Sequence, residues 1–335
     1  MRLSRSRIFL SLAVAMLWTL PAAWTVDSQA HAFDVIADVP LPGDSSRFDY
    51  ASLDPDRHRL WIAHLGASEV LVFDTESRRV VAQIPHVSQV HGVLVVPELH
   101  RVYASATGSD EVVAVDEDSF AVIARTPGGR YPDGMAYAPE VHKLYVSDES
   151  GETETVIDVR ANRRVATIEL GGEVGNTQYD PGSKHIFVNV QSRNDLVEID
   201  PAADRIVRRI ALPGADGNHG LLIDAQSRRA FIACEDNDTL LVLNLVTREV
   251  ESSFPVGHGP DVLSADQRQG RIYVASESGV VSVFQQSGGR VERTAQEFLG
   301  PNAHVVAIDG VQGIGYFPIK NLAGHPVLRL IKTVQ

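Results

Sequence analysis

The sequence predicts an all-β fold, a seven-bladed β-propeller of four-stranded blades with the ring closed by an N-terminal strand. Three observations predict it. Cut at intervals of about 42 residues, the chain falls into seven alignable copies, starting at Phe48, His91, Asp133, Asn176, His219, Asp261 and His304. Each copy is a series of short runs rich in Val, Ile, Leu and aromatics, bounded by Asp, Pro, Gly or Ser. A repeat in the forties built of short strands is the mark of a propeller. Finally, the seventh copy ends one strand short, and an unpaired strand-like segment stands at the other end of the chain.

The first copy shows the template. Residues 48–53 read as the innermost strand and Asp54-Pro55-Asp56-Arg57 as a turn. Residues 59–64, 69–74 and 80–84 read as the second, third and outer strands. Turn-forming residues separate runs that suit a pleated, buried surface. The aromatic at Trp61 recurs as Tyr103, Tyr145, Phe187, Phe231, Tyr273 and Tyr316, which predicts packing between blades rather than seven sites. In the seventh copy, residues 326–334 read as the third strand and the chain then stops. Residues 34–39 are expected to supply the missing outer strand, placing the termini side by side and removing two exposed sheet edges.

The chain opens with Arg2, Arg5 and Arg7, an apolar run interrupted by Pro21, and the small-x-small site Ala30-His31-Ala32. This is the pattern of a secretory signal peptide over residues 1–32, leaving residues 33–335 as a single propeller domain of a periplasmic or secreted protein. No other run is long enough to span a bilayer. The formal charge is −13, and no basic run is present, which argues against a nucleic-acid partner. Cys234 is the only cysteine, so the exported chain forms no internal disulfide and relies on its core. Cys234 reads as a small buried residue, with a thiolate ligand as the alternative reading. Nothing in the pattern requires a second copy, so a monomer is expected.

The pattern resembles the YncE-like proteins, propellers built of YVTN repeats. The carrying residues are Leu-Tyr-Val-Ser-Asp at 144–148, Ile-Tyr-Val-Ala-Ser at 272–276, the turns Asp54-Pro55 and Asp180-Pro181, and residues 165–172. The resemblance covers essentially the whole mature chain and implies the fold. That family has no single chemistry to transfer, and the single-stranded nucleic-acid binding proposed for some relatives needs a basic groove.

Aligned on their first turn, the seven copies place Asp49, His91, Asp133, Gly175, His219, Asp261 and His304 at the start of the innermost strand. Read around the ring from His219, imidazole and carboxylate alternate six times, and Gly175 interrupts. The innermost strands line the axial channel, so six such groups are expected to converge on its mouth. They form a ligand set suited to copper, zinc, iron, manganese or nickel, with Gly175 leaving an open side and Asn176 supplying an amide. The same alternation also suits a water-filled pore of hydrogen-bonded ion pairs, or a site for a small organic ligand. The run Pro132-Asp133-Gly134-Met135 resembles a repeat of the gluconolactonase-type propellers, which implies a metal-binding role for Asp133. Those propellers have six blades where this chain counts seven.

Just past the second strands stand His64, Thr107, Asp148, Gln191, Glu235, Glu277 and Lys320. Asp148, Glu235 and Glu277 are candidates for contact with a bound ligand or its water, and Lys320 for an anionic group. The sequence-level function is thus a channel-mouth site for a metal or small molecule, serving hydrolysis, elimination or redox chemistry. The alternative is a non-catalytic scaffold that binds another periplasmic protein or a peptide.

Overall fold

A computed structural model describes residues 33–333. The leader expected over residues 1–32 lies outside the described residues. The described chain forms seven four-stranded antiparallel sheets, the blades of a propeller. No helix among the described residues is long and apolar enough to cross a membrane.

Local sequence explains the layering of each blade. The third strands, such as Glu69–Asp74, sit between neighbouring blades and are buried on both faces, so they read as continuous apolar runs. Outer strands such as Arg79–Pro85 alternate exposed and covered residues, the period-2 pattern of a strand with one wet face. Seven hydrophobic clusters occupy the seven inter-blade seams. All seven repeated aromatics, from Trp61 to Tyr316, lie in these seams at 1% exposure or less. Each such burial contributes roughly 1.5–3 kcal/mol.

The ring closes as the sequence predicts. Phe33–Pro40 pairs antiparallel with His325–Thr333, giving blade 7 its outer strand from the other end of the chain. Phe33 enters the seam between blades 6 and 7, and Arg329 holds Asp38 through two hydrogen bonds of 2.7 Å.

One irregularity positions the site. In blades 2 to 6 the innermost strand slips register beside the ring position, for instance between Val90 and Val93 or between Asn218 and Leu221. A bulge of this kind re-aims a side chain, here toward the axis. Crowding at the axis selects the next residue: a Cβ at Gly220 would fall 2.0 Å from the Asp261 carbonyl oxygen of the adjacent blade. In blade 1 the assigned strand is shorter than predicted, Ala51–Asp54, but pairing continues upstream through Asp49 N–H to Ala63 O at 3.0 Å.

Candidate functional site at the channel mouth

The six ring residues meet. Successive Nε2–carboxylate distances link Asp133 to His219 (3.7 Å), His219 to Asp261 (3.9 Å), Asp261 to His304 (3.8 Å), His304 to Asp49 (3.6 Å) and Asp49 to His91 (3.8 Å). The four carboxylate and imidazole groups Asp49, Asp133, Asp261 and His304 are buried, and His91 and His219 nearly so. The opening expected at Gly175 is closed, because Asp133 reaches His219 across it. The backbone of His219 fills that place, 2.8 Å from where a Gly175 Cβ would stand. The break in the ring lies instead between His91 and Asp133, where Tyr131 donates its hydroxyl to His91 Nε2 at 3.0 Å.

The three imidazoles are oriented alike. Nδ1 of His91 donates to the Gln89 carbonyl at 2.9 Å, Nδ1 of His219 to Gln191 Oε1 at 3.0 Å, and Nδ1 of His304 to the Asn302 carbonyl at 3.0 Å. These oxygens accept only, so each Nδ1 carries a proton and each Nε2 turns to the ring. This is the arrangement in which an outer partner fixes the tautomer of a metal-binding histidine. His304 Nε2, Asp261 Oδ1 and Asp133 Oδ1 are buried with no hydrogen-bond partner. Asp49, Asp261 and His304 offer one donor atom each within 4.8 Å of one another, as do His219, Glu235 and Asp261.

Above the ring opens a cavity of about 470 Å³ lined by Arg47, Leu65, Gln89, Tyr131, Glu149, Gln191, Glu235 and Glu277 as well as ring residues. Below lies a second space of about 310 Å³ along the channel. Tyr50 borders both. It comes from blade 1 and reaches blades 4 and 5 across the axis. Its hydroxyl accepts from Asn176 Nδ2 at 2.7 Å and meets His219 Nε2 at 3.3 Å. Tyr50 is therefore the floor of the mouth, and the predicted amide of Asn176 serves that floor.

Electrostatics follow from this crowding. Burial, aided by Asp49, Glu149 and Asp261, pushes Asp133 well above the usual carboxylate range. Burial, with Asp49 and Glu235, raises Asp261 to about 7. Burial opposes a charge on His219, but Glu235, Asp261, Asp133 and Glu149 together lift it to about 9. His91 is lowered, chiefly by burial. Burial also raises Glu149, against the opposing pull of His219. The mouth is an anionic pocket in which carboxylates compete for too few counter-charges.

The second tier shows a one-residue offset from the sequence reading. Glu235 and Glu277 line the mouth. Asp148 does not: it is fully buried and accepts from Thr153 and Thr155 at 2.8 Å and from the Gly129 N–H. Its neighbour Glu149 takes the place, and likewise Leu65 lines the mouth while His64 stacks on Phe48 at 4.2 Å. A repeated bond sets this register. The backbone N–H of Glu149, Gln191, Glu235 and Glu277 donates to the carbonyl of Tyr131, Glu173, Gly217 and Gly259, each two residues before its ring position. Lys320 lies within Ile314–Leu322 of blade 7, half-buried and away from the mouth. Cys234 is fully buried in the seam between blades 4 and 5, and burial raises its thiol to about 12, the behaviour of a core residue rather than a ligand.

Sequence reading missed Arg47, Tyr131 and Gln89. Each lies two residues before a ring position, and Gln89 and Tyr131 turn there with positive φ, 44° and 63°. The signal was present at that spacing.

No protein-family model and no curated protein matches this sequence. Solved structures match in fold. A chain of Kuenenia stuttgartiensis hydrazine synthase aligns with TM-score 0.75 and 16% identity over 89% of this chain and 98% of its own. Virginiamycin B lyase from Staphylococcus aureus aligns with TM-score 0.75 and 11% identity over 90% and 100%. A chain of the mitotic checkpoint complex aligns with TM-score 0.75 and 13% identity over 98% and 99%. At these identities the likeness shows the seven-bladed propeller fold alone.

Proposed function

We propose that this is an exported propeller, periplasmic or secreted, that holds a divalent transition metal ion at its channel mouth and acts there on a small molecule by hydrolysis or elimination. The observation that carries the reading is the common orientation of His91, His219 and His304, each with Nδ1 committed to an outer oxygen and Nε2 turned to buried carboxylates. A solvated ring of ion pairs has no need to fix three tautomers or to leave His304 Nε2 and Asp261 Oδ1 without partners. Mixed imidazole and carboxylate donors suit zinc, manganese, iron, nickel or copper.

Such an ion supplies Lewis acidity toward a carbonyl oxygen or a water. The chain's own residues do the rest. Tyr50 closes the site from below and keeps the channel from flooding it. Arg47, held charged by Asp49, Glu277 and Asp261 against the effect of burial, faces the cavity and suits an anionic substrate group. Glu149 and Glu235, at the wall, are placed to take or return a proton. Elimination is the chemistry named for one fold neighbour, virginiamycin B lyase.

His219→Ala and His91→Ala test the reading. Both proteins are expected to keep a native circular dichroism spectrum while affinity for zinc falls on the order of tenfold or more, as for loss of a ligand or of a ligand's outer partner. If the folded variants bind zinc as the parent does, the ring is a solvated pore. A fold neighbour within a protein complex supports the scaffold reading as second choice; that reading is favoured if the parent binds no metal.

A further inference from the structure

We propose that the mouth is a two-ion site bridged by the Asp261 carboxylate, with the Arg47 guanidinium standing in one of the two positions. This rests on the metal-binding reading above and extends it.

The two oxygens of Asp261 face different imidazoles. Oδ2 lies 3.8 Å from His304 Nε2, and Oδ1 lies 3.9 Å from His219 Nε2. Each oxygen belongs with its own donor group. Asp49 joins His304 on one side, and Glu235 joins His219 on the other, with Asp261 common to both. Asp133 Oδ2 adds a further carboxylate 3.7 Å from His219 Nε2. Each position therefore offers one imidazole and at least two carboxylates. The carboxylate at the centre spans the two, as a bridge does in sites whose ions stand about 3.5–4 Å apart. Unpartnered buried atoms stand on both sides of the bridge: His304 Nε2, on a residue 1% exposed, and Asp261 Oδ1, on a residue 4% exposed.

The positions are not equivalent. Arg47 Nη2 approaches Asp49 Oδ1 at 3.3 Å and Asp261 Oδ2 at 3.7 Å. Both oxygens lie beside His304 Nε2, as does Glu277 Oε1 at 3.8 Å. The guanidinium thus neutralises the oxygens an ion would use on that side, while its other nitrogen is held by Glu277. No Lys or Arg side chain pairs with Glu235 or Asp133 among the described ion pairs. The His219–Glu235–Asp261 position is expected to fill first. The Asp49–Asp261–His304 position fills second, as Arg47, whose side chain is 39% exposed, swings outward.

Native mass spectrometry of the demetallated mature protein titrated with Zn²⁺ tests this. The expected result is two ions per chain bound in two resolved steps. Arg47→Met should tighten the second step by about tenfold or more, since it removes a competing charge at close range. His304→Ala and His219→Ala should each stop at one ion, and Asp261→Asn should weaken both steps. With two equivalents of Mn²⁺, electron paramagnetic resonance should show an exchange-coupled pair. Saturation at one ion in the parent and in Arg47→Met overturns the two-ion proposal and leaves the metal reading standing. Two ions retained in His304→Ala, with no coupled spectrum, places the second ion elsewhere and also overturns it. No bound ion at all defeats both readings.

Discussion

Saturating zinc is expected to raise the unfolding midpoint of the protein by on the order of 6 °C at pH 8, with a smaller rise at pH 5.5 and in Asp261→Asn. An ion at about a thousand times its dissociation constant stabilises by about 4 kcal/mol, and a chain of this size gains roughly 1.5 °C per kcal/mol. The pH dependence comes from protons that the ion must displace. Asp261 holds its proton up to about 7 and His219 up to about 9, so both are protonated at pH 5.5. Asp261, with its native pKa raised, binds protons better folded than unfolded, so it favours folding at low pH and loses that contribution as pH climbs to about 7. His219, also raised, contributes fully below its unfolded pKa of about 6.5 and loses that contribution through about 9. The ion-free protein is therefore weaker at pH 8, while the ligands are freer to bind. Differential scanning fluorimetry at both pH values decides the point. Equal shifts at pH 5.5 and pH 8, or a full shift in Asp261→Asn, would remove the ring from the account.

Deleting residues 33–40 should cost more than any single substitution. The deletion bares the hydrogen-bonding edge of His325–Thr333, withdraws Phe33 from the seam between blades 6 and 7, and breaks the Asp38–Arg329 pair. The lost ladder bonds at about 1 kcal/mol each, together with the uncovered apolar surface, approach the 5–15 kcal/mol that holds a domain folded. An open edge also templates association. The expected product is aggregated, or melts more than about 10 °C lower. Asp38→Ala, which breaks only the partly exposed pair, should change stability by about 1 kcal/mol or less. Size-exclusion chromatography with thermal unfolding reads both. A monomer with an unchanged midpoint after the deletion would show that the ring does not depend on its closing strand.

The architecture was legible because it is written seven times. Trp61 and its six counterparts fall into seven equivalent seams, and the terminal strand is called for by the blade that lacks it. The ring was legible for the same reason: one position per blade, read on a common turn, gives Asp49, His91, Asp133, His219, Asp261 and His304. The second tier was harder. There a strand runs into a loop, and a slip of one residue exchanges a lining side chain for a buried one, as Asp148 and Glu149 show. Gly175 looked like a gap, yet the Asp133 and His219 side chains from blades 3 and 5 meet over it. Tyr50 acts across the axis, and contacts between blades that far apart in sequence leave no mark on a single repeat.

The central claim is that the His/Asp ring holds metal. Elemental analysis of the protein, purified without chelator and without a histidine tag, tests it most directly. The account predicts between one and two equivalents of copper, zinc, iron, manganese or nickel per chain, and fewer in His219→Ala. A preparation that is metal-free, and that takes up none of these ions when they are added, would contradict it and leave a water-filled pore in a binding scaffold.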